Sequence, residues 1–288
     1  MTHTENKSRC MLIASMCIFG TIGVLRRYIP LSSSLIALVR GTIGTVFLIL
    51  IIRMQRIKPD FKAIRRNLPL LLCSGAAIGF NWILLFEAYN HTSVATATLC
   101  YYLAPILVIL AAPIILKERL TIRKLLCAIA ALTGMIPVSG VLQTGISASS
   151  EWIGILYGIG AAVLYACVIL MNKRITGIAS FDKTVIQLGA ASFALLPYVL
   201  LTENWLQITV TPLSVILLLV AGVLHTGLAY WLYFGSMDNL KSHTVALYSY
   251  IDPILAILLS VMLLNEPMHF SSAVGAAMIL GAAYISEK

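Results

Sequence analysis

Asp252 is the residue least at home in its surroundings, since it interrupts the apolar run ALYSYIDPILAILLSVMLLNEPMH at 246–269. A carboxylate facing lipid at such a depth costs several kcal/mol, so it must face a protein interior, either paired or protonated. Three roles follow for it: recognition of a substrate amine, coupling to a proton, or a structural hydrogen bond. Tyr248 precedes it by one helical turn and lies on the same face. Arg40 sits in a second apolar run and either snorkels or pairs with Glu87 or Asp252, which makes these three the candidates for gating or coupling. Glu87 lies near the end of its own run and either joins that pair or reaches lipid headgroups. His225 suits a proton relay or a hydrogen-bonded packing role. None of this is enzyme chemistry. There is no phosphate-cradling loop and no His-Glu-x-x-His metal pattern. No Gly-x-Ser-x-Gly nucleophile occurs either. No metal, nucleotide or other cofactor is expected, and any work must come from a substrate, proton or other ion gradient, or be facilitated.

These residues must be held by helices in lipid. The chain has 288 residues, 60% hydrophobic and 11% charged, with mean hydropathy +0.95. Soluble domains are usually about a quarter charged, so lipid must cover much of this surface. The apolar stretches predict ten spans near 10–29, 34–52, 68–89, 94–116, 122–141, 153–171, 181–201, 213–234, 243–264 and 270–286. Their runs are continuous rather than alternating, which favours helices over a barrel. The polar stretch 1–9 has no signal-peptide pattern after it. The six cysteines have no ligand spacing and are expected to be small buried hydrophobes. With ten spans, 17 of the 20 Lys and Arg fall on one side, Arg26, Arg27 and Arg40 being the exceptions. That side is expected to be cytoplasmic and to carry both termini. The net charge of +9 therefore points to membrane orientation and not to nucleic acid.

The chain also repeats itself. Residues 98–121, TLCYYLAPILVILAAPIILKERLT, match 246–269 without a gap. Tyr102 falls on Tyr250, Pro105 on Pro253 and Glu118 on Glu266. Five spans per copy is an odd number, so the second copy must enter from the opposite side, giving a 5+5 inverted repeat. The expected units are 1–141 and 153–288, joined by an outer loop at 142–152. Pro105 and Pro253 should kink their helices and loosen the carbonyls of Tyr101 and Ser249, as structural bends or as hinges or a cavity wall. Glu118 and Glu266 each precede the next helix and should accept its free N–H groups.

The segments YNHTSVATATLCYYLAPILVILAAPIILKERLT and HTGLAYWLYFGSMDNLKSHTVALYSYIDPILAILLSVMLLNEPM resemble the signature of the EamA family of the drug/metabolite transporter superfamily. The resemblance covers essentially the whole chain as two EamA-type units. It implies a ten-helix carrier in the bacterial cytoplasmic membrane, of a kind that often exports amino acids or other small metabolites. It further implies a central chamber, with Trp82, Tyr101, Tyr102, Tyr165, His225, Trp231 and Tyr248 as wall residues, and it matches Arg40 to an arginine common in the second helix. The expected partners are a small-molecule substrate and the bilayer, with the coupling ion, a proton or another, left open. Oligomeric state is likewise open. A passive channel, an intramembrane enzyme and a non-transporting scaffold are the competing readings. A channel needs a continuous lined path. An enzyme needs a nucleophile and a base that converge, for which only His225 with a tyrosine or serine is on offer.

Overall fold

The computed structural model describes residues 3–56, 59–115, 117, 121–138, 149–237, 240 and 242–287. Every element within them is helical. In chain order these are α1 (His3–Gly20), α2 (Ile22–Arg27), α3 (Ser33–Met54), α4 (Phe61–His91), α5 (Val94–Tyr101), α6 (Ala104–Ile115) and α7 (Ile122–Val138). There follow α8 (Ser149–Arg174), α9 (Ser180–Thr202), α10 (Pro212–Leu219), a π-helical stretch (Val220–Leu228) and α11 (Ala229–Met237). The chain ends with α12 (Ser242–Ser249), α13 (Ile251–Leu264) and α14 (Phe270–Glu287). Glu118 and residues 142–148 of the expected joint lie outside the described residues.

Among the described residues seven helical stretches are long and apolar enough to cross a membrane, and Ile251–Leu264 and Phe270–Ile285 are shorter apolar helices. Large apolar side chains point outward along them, Leu201 and Phe270 each at 86% exposure. In water that surface would be untenable, whereas in lipid it is the solvated face. The chain is an all-α polytopic membrane protein.

Local chemistry sets the helix starts. Ser32 Oγ accepts the Leu35 N–H at 3.2 Å to open α3, and Ser93 Oγ accepts the Thr96 N–H at 3.0 Å to open α5. Asp60 accepts the Lys62 and Ala63 N–H groups at 3.0 and 3.1 Å, a strong N-cap. It starts α4 seven residues before the position 68 expected from hydropathy. The basic stretch 62–66 is thus the first turns of a helix and not a loop.

The expected kinks at Pro105 and Pro253 are full breaks. Tyr102 and Leu103 leave the helix between α5 and α6, and Tyr250 does so between α12 and α13. Each proline then stands in the first turn of a new segment, where a missing N–H has no intrahelical partner to lose. The two halves share a further backbone detail: Lys117 (φ 57) and Asn265 (φ 52), at matching repeat positions, are both left-handed.

The helices pack as a closed set. α4 lies on α8 and α9, α3 on α9 and the π stretch, α1 on α11 and α13, α5 and α6 on α8, and α7 on α14. Backbones approach closely where glycine allows. A Cβ on Gly75 would meet the Gln187 carbonyl oxygen at 2.5 Å, so α4 and α9 touch there through backbone. One apolar core gathers Phe86, Ile36, Leu48, Leu188 and Leu195, and a second gathers Leu99, Ile106, Ala131, Ile279 and Ala283. Of the cysteines, Cys100 and Cys127 are buried, Cys17 is partly buried, and Cys10, Cys73 and Cys167 are exposed. For those three, the expectation of burial fails because a thiol is apolar enough to face lipid.

Candidate functional site

Tyr101 and Tyr102 end α5, and Asp252 begins α13, so the two helix breaks deliver them to one place. There they line a cavity of about 290 Å³ together with Arg40 from α3, Trp82 from α4 and Tyr165 from α8. Tyr101 stacks on Tyr165 with ring centroids 5.2 Å apart and meets Tyr102 edge-on at 6.2 Å.

Arg40 is 5% exposed. Its guanidinium lies 4.3 Å from the Trp82 ring centroid and 5.3 Å from that of Phe86, within cation–π range of both. Its Nε–H donates to Thr226 Oγ1 at 3.1 Å. Thr226 is held in turn by donating to the Ala221 carbonyl at 3.0 Å, five residues back along the π stretch. Among the described residues no carboxylate lies within ion-pair distance of Arg40.

Asp252 is held from the other half of the chain. The Tyr102 hydroxyl donates to Asp252 Oδ2 at 3.0 Å and reaches the Ser249 carbonyl at 3.2 Å. That carbonyl is the one freed by Pro253, so the break finds a buried partner as hydrocarbon requires. Among the described residues no cation pairs with Asp252. The expected pairings of Arg40 with Asp252 or Glu87 are therefore not made. Glu87 instead accepts from Asn90 Nδ2 at 3.3 Å and lies 3.9 Å from His91 Nδ1.

Three expected wall residues do not line this cavity. Tyr248 is separated from Asp252 by the break at Tyr250, which cancels their shared face. His225 is buried, with Nε2 2.8 Å from Thr21 Oγ1 and Nδ1 3.3 Å from the Val220 carbonyl oxygen. It ties the π stretch to the gap between α1 and α2. Trp231 packs on the first apolar core, and its neighbour Tyr230 lines the cavity instead. The π stretch explains this exchange. One extra residue in a turn rotates the following face by about 100°, and no periodicity in the sequence reveals it.

A second cavity of about 380 Å³ shares Trp82, Tyr101, Tyr165 and Tyr230 with the first and runs on to Asn172, Lys173 and Lys183. Lys173 is exposed, so this vestibule leads to one end of the bundle. Elsewhere a tie runs across the chain. Arg27 Nη2 donates to Glu266 Oε1 at 3.0 Å and to the Thr92 carbonyl at 2.8 Å, while Glu266 Oε2 accepts the Val94 N–H at 2.8 Å. Glu266 thus serves the start of α5 in the other half of the chain and not the start of α14. Asn265, left-handed, turns the chain sharply there, and the Glu266 N–H closes back on the Ser260 carbonyl at 3.2 Å.

The family model of the EamA-like transporter family matches residues 6–140 and again 152–287. The chain belongs to the EamA-like transporter family. It is 27% identical over 275 residues to the uncharacterized transporter YxxF of Bacillus subtilis (strain 168), covering 93% of this chain and 85% of that one. It is 24% identical over 285 residues to protein PecM of Dickeya dadantii (strain 3937), covering 94% and 89%. A protein of known crystal structure superposes with a TM-score of 0.68 at 19% identity over 97% of this chain and 96% of the other, which shows a shared fold. An EamA-like protein moves a solute across a membrane and is not an enzyme. Among the described residues no group of three or more His, Cys, Asp or Glu could hold a metal ion.

Proposed function

We propose that the chain is an alternating-access carrier for small zwitterionic metabolites, amino acids above all, exported across the bacterial cytoplasmic membrane. One observation carries this reading: Arg40 and Asp252 face a single aromatic cavity, and among the described residues neither has an ion-pair partner. Buried charges left unpaired are costly, and an α-amino acid supplies both complements. Its carboxylate suits the uncommitted guanidinium N–H groups and its ammonium suits Asp252.

The ten-span inverted repeat belongs to the same proposal. Exchanging the two halves maps α4 on α8 to α11 on α1, and α9 on α4 to α3 on the π stretch. It leaves α7 on α14 in place. Such a set has two equivalent packings, one open to each side. The Arg27–Glu266 tie at one end and the vestibule at the other support a carrier over a passive pore. The Lys and Arg bias supports an open end, and both termini, on the cytoplasmic side.

Asp252 also offers a coupling site. Tyr102 has one hydroxyl hydrogen and two acceptors, Ser249 and Asp252. Both contacts are satisfied without sharing when Asp252 carries a proton and donates to Tyr102. A substrate ammonium would displace that proton, which ties solute movement to a proton gradient. The test is uptake by proteoliposomes from a labelled panel of amino acids, nucleosides and sugars, with and without a pH gradient. Uptake of amino acids alone, enhanced by the gradient, is expected. Uptake of sugars or nucleosides without amino acids would overturn the reading.

A further inference from the structure

The vestibule carries a charge pattern that the central cavity does not explain. Lys183 stands in the first turn of α9, half-buried, and lines the vestibule with Lys173, Asn172 and Gln187. Among the described residues no carboxylate lies within ion-pair distance of Lys183, and none lines the vestibule. Its neighbour Asp182 faces a different crevice, where it accepts the Asp60 N–H at 3.4 Å. The amide groups are arranged to match. Gln187 Nε2 donates to Ser74 Oγ at 2.6 Å and to Asn172 Oδ1 at 2.7 Å. Asn172 Oδ1 thus accepts from Gln187, and among the described residues its NH₂ donates to no partner. Thr184 donates to the Ser180 carbonyl at 2.8 Å. The wall therefore offers donors and positive charge, and a half-buried ammonium in low dielectric attracts anions far more strongly than one in bulk water.

We propose that Lys183 and Asn172 form a second station on the solute path that receives a carboxylate before Arg40 does, and that this station selects solutes with a free carboxylate and rejects net cations. The inference rests on the carrier reading above and deepens it by naming the substrate class. Carboxylate-bearing solutes pass from Lys183 to Arg40, and among the described residues that line the two cavities Asp252, met in the central one, is the one carboxylate. A cationic solute meets repulsion at the mouth and again at Arg40.

Two measurements on the purified full-length chain separate this inference from the carrier reading. The first needs no transport. In a background with the six native cysteines replaced by alanine or serine, Ser180→Cys is reacted with a negatively and a positively charged methanethiosulfonate reagent. The anionic reagent is expected to react about tenfold faster. Lys183→Gln should remove most of that preference and Lys183→Glu should reverse it. The second is saturation kinetics with labelled glutamate, leucine and lysine in proteoliposomes. Lys183→Gln should raise KM for glutamate and leucine about tenfold with kcat unchanged, and should reduce the discrimination against lysine. A reagent preference unaffected by Lys183→Gln overturns the station even if amino acids are transported. A preference that behaves as expected, with no amino acid transported by the wild type, removes the carrier reading for amino acids and the proposed substrate class with it.

Discussion

Arg40, Asp252 and Tyr102 divide the work of the cavity in ways that substitution can separate. Hydrogen bonds to charged groups are worth about 1.5–3 kcal/mol, and each 1.4 kcal/mol is about tenfold in affinity. Arg40→Gln should therefore raise KM for an amino acid by roughly ten- to a hundredfold, and methyl esterification of the substrate should have little further effect in that variant. Asp252→Asn should weaken the amine contact to a similar degree and also remove the response to a pH gradient. Gradient-driven uptake that survives in Asp252→Asn would contradict the coupling role. Tyr102→Phe removes the hydroxyl that joins Ser249 and Asp252 and should destabilise the protein by about 1–3 kcal/mol, read as earlier unfolding in denaturant. These residues were legible in the sequence because a polar group in an apolar run has few places to go. Tyr248 was not, because its link to Asp252 assumed a continuous helix that stops at Tyr250. His225 and Trp231 were misplaced by the π stretch, whose extra residue per turn leaves no mark on composition.

Hydropathy alone does not see the polar first turns of α4, which the Asp60 cap starts at Phe61. The prolines marked the right places, although the structural outcome is a break and not a bend. This difference has a measurable consequence. Pro105→Ala or Pro253→Ala restores an N–H and permits a continuous helix through the break, which would draw Tyr102 or Asp252 away from the other. Such variants are expected to keep most of their stability and lose turnover about tenfold or more, since small misplacement in a site is costly. Turnover at the wild-type rate in both would show that the breaks are packing features only. The contact of α4 with α9 at Gly75 is of another kind. Gly75→Leu has no room against the Gln187 carbonyl and should destabilise the fold by about 1–3 kcal/mol, seen as reduced yield and earlier unfolding.

At the scale of the molecule, the helix breaks before Pro105 and Pro253 and the left-handed Lys117 and Asn265 are consistent with the repeat read from matched tyrosines, prolines and glutamates. The partner of Glu266 could not be read from sequence, because it depends on how the halves meet. The tie at that end is a modest one. Arg27 and Glu266 are partly exposed, and such pairs contribute on the order of 1 kcal/mol or less. That is strong enough to bias two states and weak enough to break in each cycle. Arg27→Glu should therefore favour the state open at the Glu266 end, and Glu266→Arg in the same chain should restore the balance, as read by labelling of single cysteines placed near Thr92. The account depends most on one chamber being exposed to each side in turn. Counterflow tests this directly: proteoliposomes preloaded with unlabelled amino acid are diluted into a trace of the labelled form. The expected result is a transient accumulation of label above its equilibrium level, lost in Arg40→Gln and Asp252→Asn. Label that only equilibrates, at a rate that does not saturate, would mean an open path and would contradict the account.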